Sequence, residues 1–124
     1  MSHHENISLL AYSPLAGGFL TGKYLDGSVP ENSRLSRVSS LFGRINENST
    51  LAVKEYVSLA RSFNLEPVHM ALAFCNQRPF MGSVIFGATD KLQLTKIING
   101  LDIVLSDELL DEINKLYKKF PITF

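Results

Sequence analysis

The chain has 124 residues, of which 45% are hydrophobic, and its 12 Lys and Arg balance 12 Asp and Glu, so the formal net charge is zero. This length indicates a single domain with enough apolar residues to form a core. The balanced charge lacks the basic excess that is typical of proteins binding nucleic acids or anionic membrane surfaces.

Cysteines, histidines and long apolar runs are scarce. The single Cys75 lies in an apolar helical run, where we expect a buried and unreactive thiol, and a lone cysteine is typical of a reducing compartment. The adjacent His3 and His4 make a poor metal site without further ligands. No run approaches the roughly 20 apolar residues of a membrane span and no signal peptide is recognisable, so we expect a soluble, cytoplasmic protein.

The first predicted element is a short buried strand over residues 7–12. It ends at Ser13 and Pro14, because proline lacks the N–H that a strand ladder needs. Residues 15–24 follow as a loop with three glycines and one cation, Lys23. Glycine permits backbone conformations that are closed to other residues, so this loop can lie close to a ligand.

Residues 25–48 show no sustained periodicity. This predicts a long connection of the kind that forms lids, binding loops or disordered segments. Its cations are Arg34, Arg37 and Arg44. Each is by default a solvated surface charge, and a functional role needs further support.

Two helices are predicted next. Ser49-Thr50 offers an N-cap for the first, which we expect to stop near Asn64, and Pro67 occupies the first position of the second. Their predicted buried faces comprise Val53, Tyr56, Val57, Ala60 and Phe63 in the first helix and Met70, Ala71 and Phe74 in the second. His69 has no second ligand at helical spacing, so we interpret it as a structural or surface residue.

A second buried strand is predicted at residues 83–86, followed by a glycine turn and a helix from about residue 90 to 99. The continuous apolar run is typical of a parallel strand covered on both faces. Gly87 and Ala88 leave room for backbone N–H groups and the Thr89 hydroxyl to hold an anion such as a phosphate. The alternative is an ordinary strand-to-helix turn capped by Thr89 or Asp90, and the turn alone does not decide between them.

Two amphipathic helices complete the chain. The first is predicted to bury a stripe of apolar residues and to stop at Gly100. Ser106 caps the second, which has acidic residues in its first turn and lysines in its last, as the helix dipole favours. The predicted buried residues are Leu94, Ile97, Ile98 and Leu101 in the first and Leu109, Leu110, Ile113, Leu116, Tyr117 and Phe120 in the second.

Strands that alternate with helices indicate a parallel α/β architecture. Two strands alone make no stable parallel sheet, and each leaves unpaired edges exposed. The pattern therefore predicts part of a larger fold.

Two separated motifs resemble the aldo-keto reductase superfamily. They are residues 10–24, with the sequence LAYSPLAGGFLTGKY, and Phe86-Gly87-Ala88-Thr89 with Gln93 and Leu94. The similarity is to the C-terminal portion of the Tas-type bacterial members, which also resemble potassium-channel β subunits. It implies a (β/α)8 TIM barrel, of which residues 1–124 would be a single C-terminal fragment with the seventh and eighth strands and the helices that follow.

The resemblance also implies an NADP(H) site. In the family, the loop after the seventh strand clamps the cofactor pyrophosphate. This implies roles for Ser13, Pro14, Leu15, the Ala16-Gly17 backbone and Lys23, with Tyr12 against the nicotinamide. Arg34 matches an arginine on the 2′-phosphate, and a forked cation suits that group. Gly87, Thr89 and Gln93 match residues that hold the adenosine phosphate and ribose, whereas the positions that often read adenine are here Lys96 and Ile97.

The catalytic tyrosine, lysine, aspartate and histidine of the family have no counterpart in these motifs, and carbonyl reduction needs a proton donor. We therefore expect a truncated oxidoreductase fragment that is inactive alone and binds NADP(H) weakly or not at all. We also expect oligomers, through self-association or through docking onto a complementary N-terminal barrel half, because unpaired apolar faces are otherwise exposed.

Two other classes of function remain open. A complete enzyme for an unrelated reaction is one, although no His, Cys or acid pair has a convincing spacing. A non-catalytic oligomeric scaffold or binding module derived from the barrel is the other. Binding of NADPH, with and without Arg34→Ala, discriminates between retained cofactor binding and a bare scaffold.

Overall fold

The computed structural model describes residues 2–5 and 7–121. Strands β1 (Leu9–Tyr12) and β2 (Met81–Ile85) form a parallel two-stranded sheet, in which Tyr12 pairs with Ile85. The helical elements are α1 (Ser2–Glu5), a 3₁₀ segment (Ala16–Thr21), α2 (Arg34–Arg37), α3 (Ser40–Gly43), α4 (Glu47–Ser62), α5 (Pro67–Asn76), α6 (Lys91–Ile98) and α7 (Asp107–Lys119). The predicted parallel pairing of two strands within a helix-rich chain is confirmed.

Only one face of this sheet is covered, so the prediction of strands buried on both faces is wrong for this chain. Residues alternate between faces along a strand. Leu10, Tyr12 and Ile85 share the bare face and are 63%, 77% and 50% exposed. On the other face, Val84 packs with Phe86 against a buried cluster of α5 and α6 residues, namely Val68, Leu72 and Ile97.

The best-packed core lies between α4, α5 and α7. Its buried members are Ala60, Met70, Ala73, Leu105, Leu109 and Ile113. As predicted, Pro67 opens α5 and the Ser106 side chain accepts a hydrogen bond from the Leu109 N–H at the start of α7. Tyr117, predicted to be buried, is instead 60% exposed.

Helix α4 begins earlier than predicted, because Asn46 rather than Ser49 is its N-cap. The Asn46 side chain accepts a hydrogen bond from the Ser49 N–H, and the Ser49 hydroxyl accepts one from the Asn46 N–H. This reciprocal capping box satisfies two amide groups at the start of the helix. Ser49 is therefore inside the helix and buried.

The long connection is more ordered than its composition indicates. It contains the single turns α2 and α3, and Leu41 within α3 is only 1% exposed. Leu41 belongs to a second core with Phe19, Tyr24, Val53 and Val57. Leu25, Leu35 and Ile45 pack against this core as well, whereas residues 26–32 are exposed.

Helix α6 has the predicted length but not the predicted buried stripe. Ile97 is buried, whereas Leu94, Ile98 and Leu101 are 41%, 52% and 52% exposed. Only the side of α6 that faces α5 and β2 has a packing partner in the described chain. Gly100 follows the helix, as predicted, and its lack of a side chain accommodates the His69 ring.

Candidate functional site

One cleft of about 620 Å³ lies between the loop after β1 and the turn after β2. Its walls include all of the site residues that the sequence predicted: Tyr12, Ser13, Pro14, Leu15, Gly17, Lys23, Arg34, Gly87, Thr89 and Gln93. These residues come from three separated parts of the chain. The structure therefore brings the predicted set together, and its role in binding a cofactor remains a prediction.

The position of the cleft follows from the parallel sheet. The paired residues Tyr12 and Ile85 are the last of β1 and β2, so both following segments leave the same edge. In open α/β sheets, ligands bind outside the carboxyl ends of the strands. The cleft lies at that edge.

The first wall, which we call the glycine wall, comprises residues 13–24. Gly17 and Gly18 have φ values of 69° and 95°, in the left-handed region that favours glycine. The Lys23 ammonium group lies beside the backbone of Gly18, since a Cβ placed on Gly18 would be only 3.3 Å from its Nζ. Beneath this surface, Phe19 and Tyr24 are buried against α4.

The opposite wall, which we call the turn wall, comprises residues 86–93. Asp90 caps α6 by accepting a hydrogen bond of 2.8 Å from the Gln93 N–H. Of the two predicted N-cap residues, Thr89 and Asp90, the structure therefore has Asp90. The Gln93 amide folds back: its Nε2 donates to Asp90, and its Oε1 accepts from both the N–H and the hydroxyl of Thr89. An anion on this turn would replace the Gln93 amide oxygen as the acceptor for Thr89.

The charge of the cleft suits an anion. Within the described chain, its lining includes Lys23, Arg34 and Arg44 and no carboxylate. Arg34 opens α2, which is joined to the glycine wall by a hydrogen bond from the Leu35 N–H to the Tyr24 hydroxyl. Arg34 therefore lines the same cleft as Lys23.

Several lining residues were missed by the sequence analysis. Phe42 and Leu41 come from α3, in a segment without a recognisable period, and Val68 comes from α5. Arg44 was noted only as a cation of the long connection. No pattern in the sequence signals that α3 turns back onto the glycine wall, because that placement depends on the burial of one leucine.

Other chemical groups lie outside the cleft. His69 has Nε2 2.6 Å from the backbone oxygen of Lys96, which confirms its structural role. Burial raises the pKa of the half-buried Cys75 thiol, which disfavours the thiolate. In the part of the chain that the structure describes, no three His, Cys, Asp or Glu side chains converge on a metal position, and no helix is both long and apolar enough to cross a membrane.

A sequence model of the aldo/keto reductase family matches residues 1–118. The chain belongs to this family. Its similarity to individual members extends over nearly the whole chain. It is 40% identical over 120 residues to "Protein tas" of Escherichia coli K12. This alignment covers 97% of this chain and 35% of that protein. It is also 40% identical over 122 residues to "Aldo-keto reductase" of Babesia bovis, covering 94% of this chain and 43% of that relative.

A further relative is "Probable voltage-gated potassium channel subunit beta" of Oryza sativa subsp. japonica, which is 33% identical to this chain over 120 residues. The alignment covers 93% of this chain and 37% of that protein. The predicted resemblance to this superfamily is thus confirmed. The chain spans between a third and a half of the length of these relatives. The aldo/keto reductase fold is a (β/α)8 barrel, so the two parallel strands and the helices described above are consistent with part of one.

Aldo/keto reductases generally use NADP(H), and the size and charge of the cleft bear on the binding of such a cofactor. Its volume falls within the range of about 300–1,000 Å³ of small-molecule and cofactor sites. The glycine wall offers exposed backbone, and the cationic side chains offer donors to phosphate oxygens.

Proposed function

We propose that this aldo/keto reductase chain is the NADP(H)-phosphate-binding part of an NADPH-dependent carbonyl reductase. In this proposal β1 and β2 are the seventh and eighth strands of the barrel, and α7 is the extra helix packed beneath it. The observation that carries the proposal is the convergence of three separated segments on one cationic cleft with a glycine backbone wall.

Each part of the cofactor has a proposed position. The pyrophosphate lies on the backbone of Ser13, Pro14, Leu15 and Gly17 with Lys23 beside it, and the 2′-phosphate pairs with Arg34. Gly87, Thr89 and Gln93 hold the adenosine phosphate and ribose. Tyr12, which is 77% exposed at the end of β1, presents its ring to the nicotinamide.

We propose that the 124-residue chain alone does not catalyse carbonyl reduction. Bound NADPH supplies the hydride, and the carbonyl oxygen needs a proton from a positioned acid. By family resemblance, that acid is a tyrosine supported by a lysine, an aspartate and a histidine on other strands of the barrel. The cleft of this chain contributes cofactor binding and orientation.

The bare face of the sheet supports a partner. Leu10, Tyr12 and Ile85 expose apolar surface beside one unpaired edge on each strand. We propose that the occupant is the complementary N-terminal half of the barrel, because the relatives are more than twice the length of this chain and a further parallel strand fits each free edge. Mixing the chain with the N-terminal two thirds of the E. coli relative should give a 1:1 complex in light scattering. Homo-oligomers alone, or a stable monomer, would contradict this choice of partner.

The cofactor proposal is tested by titrating NADPH and NADH against the chain. We expect NADPH to bind more tightly, although weakly, and Arg34→Ala to weaken it about tenfold, since this removes a charge-assisted hydrogen bond to the 2′-phosphate. NADH, which lacks that phosphate, should bind the variant and the wild type equally. Arg37→Ala is the matched control, because Arg37 belongs to the same helix but does not line the cleft.

The alternative function is a scaffold without cofactor. It is favoured if the wild-type chain is folded and oligomeric yet binds neither dinucleotide. An equal loss of affinity in Arg34→Ala and Arg37→Ala would also contradict the assignment of the 2′-phosphate, because it would indicate a general electrostatic effect.

A further inference from the structure

Phe42 is a large apolar side chain that the structure leaves exposed at the cleft. Its exposed fraction is 69%, whereas its neighbour Leu41 is 1% exposed, and both residues line the cleft. Exposed phenylalanines are common on protein surfaces and need no explanation when they stand alone. Phe42 differs because it lies in a cationic cleft and because its backbone is strained.

Helix α3 is built in an unfavourable conformation. Its residues Ser40, Leu41, Phe42 and Gly43 all have positive φ, of 48°, 48°, 62° and 78°. The left-handed helical conformation costs about 1–2 kcal/mol for each residue with a Cβ. A bulky aromatic residue in this region is an outlier that calls for a compensating interaction.

The compensation comes from the residues around Phe42 and not from Phe42 itself. Leu41 is buried next to Gly17, and the Ile45 N–H donates to the Ser40 backbone oxygen at 3.1 Å. The Gly43 N–H donates to the Ser40 hydroxyl, also at 3.1 Å. The turn is therefore fixed by its buried side, and the consequence of its geometry is that the Phe42 ring is presented at the cleft.

Lys96 and Ile97 of α6 offer no polar side chain to a nucleotide base in the cleft, and the polar side chains of the turn wall, Thr89, Asp90 and Gln93, hydrogen-bond to one another. Lys96 leaves the cleft and pairs with Glu66 at 2.9 Å on the outer side of α6. Ile97 is 3% exposed and belongs to the apolar cluster with Val68 and Leu72. Neither residue has a polar group directed at the cleft.

We propose that Phe42 is a stacking platform for the purine base of the bound nucleotide. This inference rests on the proposed NADP(H) site and adds the basis of base recognition to it. The base and the 2′-phosphate belong to the same ribose, and Arg34 and Phe42 both line the cleft from α2 and α3, two helical turns that contact each other. An aromatic face attracts any planar base, so the platform binds a purine without reading its hydrogen-bonding edge.

A test with the adenosine end of the cofactor separates stacking from edge recognition. The ligands are adenosine 2′,5′-bisphosphate and inosine 2′,5′-bisphosphate, titrated calorimetrically against the full chain. We expect the two affinities to agree within about threefold, because only the base edge differs. Phe42→Leu should weaken both about tenfold, in line with the measured contribution of base stacking on aromatic residues, and Phe42→Tyr should retain binding.

Controls keep the result interpretable. Phe42→Leu retains an apolar side chain of similar size and a Cβ, so it leaves the backbone strain unchanged, and its thermal melting should match that of the wild type. Val104→Ala shortens another highly exposed apolar side chain, outside both walls of the cleft, and should have no effect on binding. Two results would overturn the stacking role of Phe42 while leaving the proposed function standing, provided that NADPH binds the wild type. One is an unchanged affinity of Phe42→Leu for the two bisphosphates, and the other is a tenfold preference of the wild type for adenine over hypoxanthine. Failure of NADPH to bind the wild type would overturn the proposed function and the platform together.

Discussion

The two walls of the cleft are held in different ways. The glycine wall lies on a core in which Phe19 and Tyr24 are 1% and 5% exposed, and α4 packs beneath both. In the turn wall, Gly87, Ala88, Thr89 and Asp90 are all exposed, and hydrogen bonds among Thr89, Asp90 and Gln93 shape the turn. Apolar burial therefore fixes the glycine wall, whereas the turn wall packs on an apolar cluster at Phe86 and is shaped beyond it by exposed polar contacts.

This difference indicates how each wall meets a ligand. A backbone surface attached to a packed core is pre-organised, so binding to it loses little conformational entropy. The hydrogen bonds of the turn wall compete with water and with any anion, and each contributes only about 0.5–1.5 kcal/mol. We expect the glycine wall, on which the pyrophosphate is proposed to bind, to be the rigid half of the site.

The largest effect should come from removing the anchor of the glycine wall. Phe19→Ala deletes a fully buried ring, and such changes lower the free energy of unfolding by about 3–5 kcal/mol. Urea denaturation measures this loss. The matched comparison on the turn wall is Leu92→Ala, which should change stability by less than about 0.5 kcal/mol because Leu92 is 84% exposed. Equal losses in the two variants would show that the walls are held alike.

An intermediate effect is expected where the turn wall joins the helical core. A Cβ on Gly100 would lie 2.2 Å from Cδ2 of His69, so Gly100→Ala must displace α6 or the imidazole ring. Overpacking of this kind costs about 1–3 kcal/mol. Thermal denaturation of Gly100→Ala, His69→Ala and the double variant measures the coupling.

The double variant should be more stable than the sum of the single losses predicts, because removing the ring makes room for the new methyl group. Additive losses would indicate that the new methyl group does not clash with the His69 ring. In that case the contact between His69 and Gly100 would not position the turn wall.

The sequence predicted the glycine wall better than the connection that completes it. The motif around Gly17 and the cap at Asp90 are local signals, because backbone conformation and capping depend on residues a few positions apart. The placement of Leu41 and Phe42 depends on contacts with Gly17, more than 20 positions away, and no periodicity encodes it. The exposure of Leu10 and of the outer face of α6 has a similar origin: the apolar pattern matches a larger fold, and the described chain holds only part of the surfaces that such a pattern covers.

The smallest effect concerns the ion pair that joins α6 to the start of α5. The hydrogen bond from Lys96 holds the pKa of Glu66 below its ordinary value of 4.5. The folded state therefore favours the carboxylate, so the pair stabilises the protein above about pH 4.5 and the contribution is lost as the pH falls below that value. Both side chains are 53% exposed, which limits the contribution to less than about 1 kcal/mol.

Comparing the wild type with Lys96→Gln separates the contribution of the Lys96–Glu66 pair to stability from the contributions of the other carboxylates. The difference in the free energy of unfolding should be measurable at pH 7 and low salt, and it should shrink toward zero both in acid and in about 1 M salt, where the Debye length falls to about 3 Å. Because Glu66 also precedes the first residue of α5, the variant changes the lysine and leaves that position intact. A difference that persisted in acid would mean that Lys96 stabilises the turn wall through its aliphatic stem, and then apolar contact would hold this wall as well as the other.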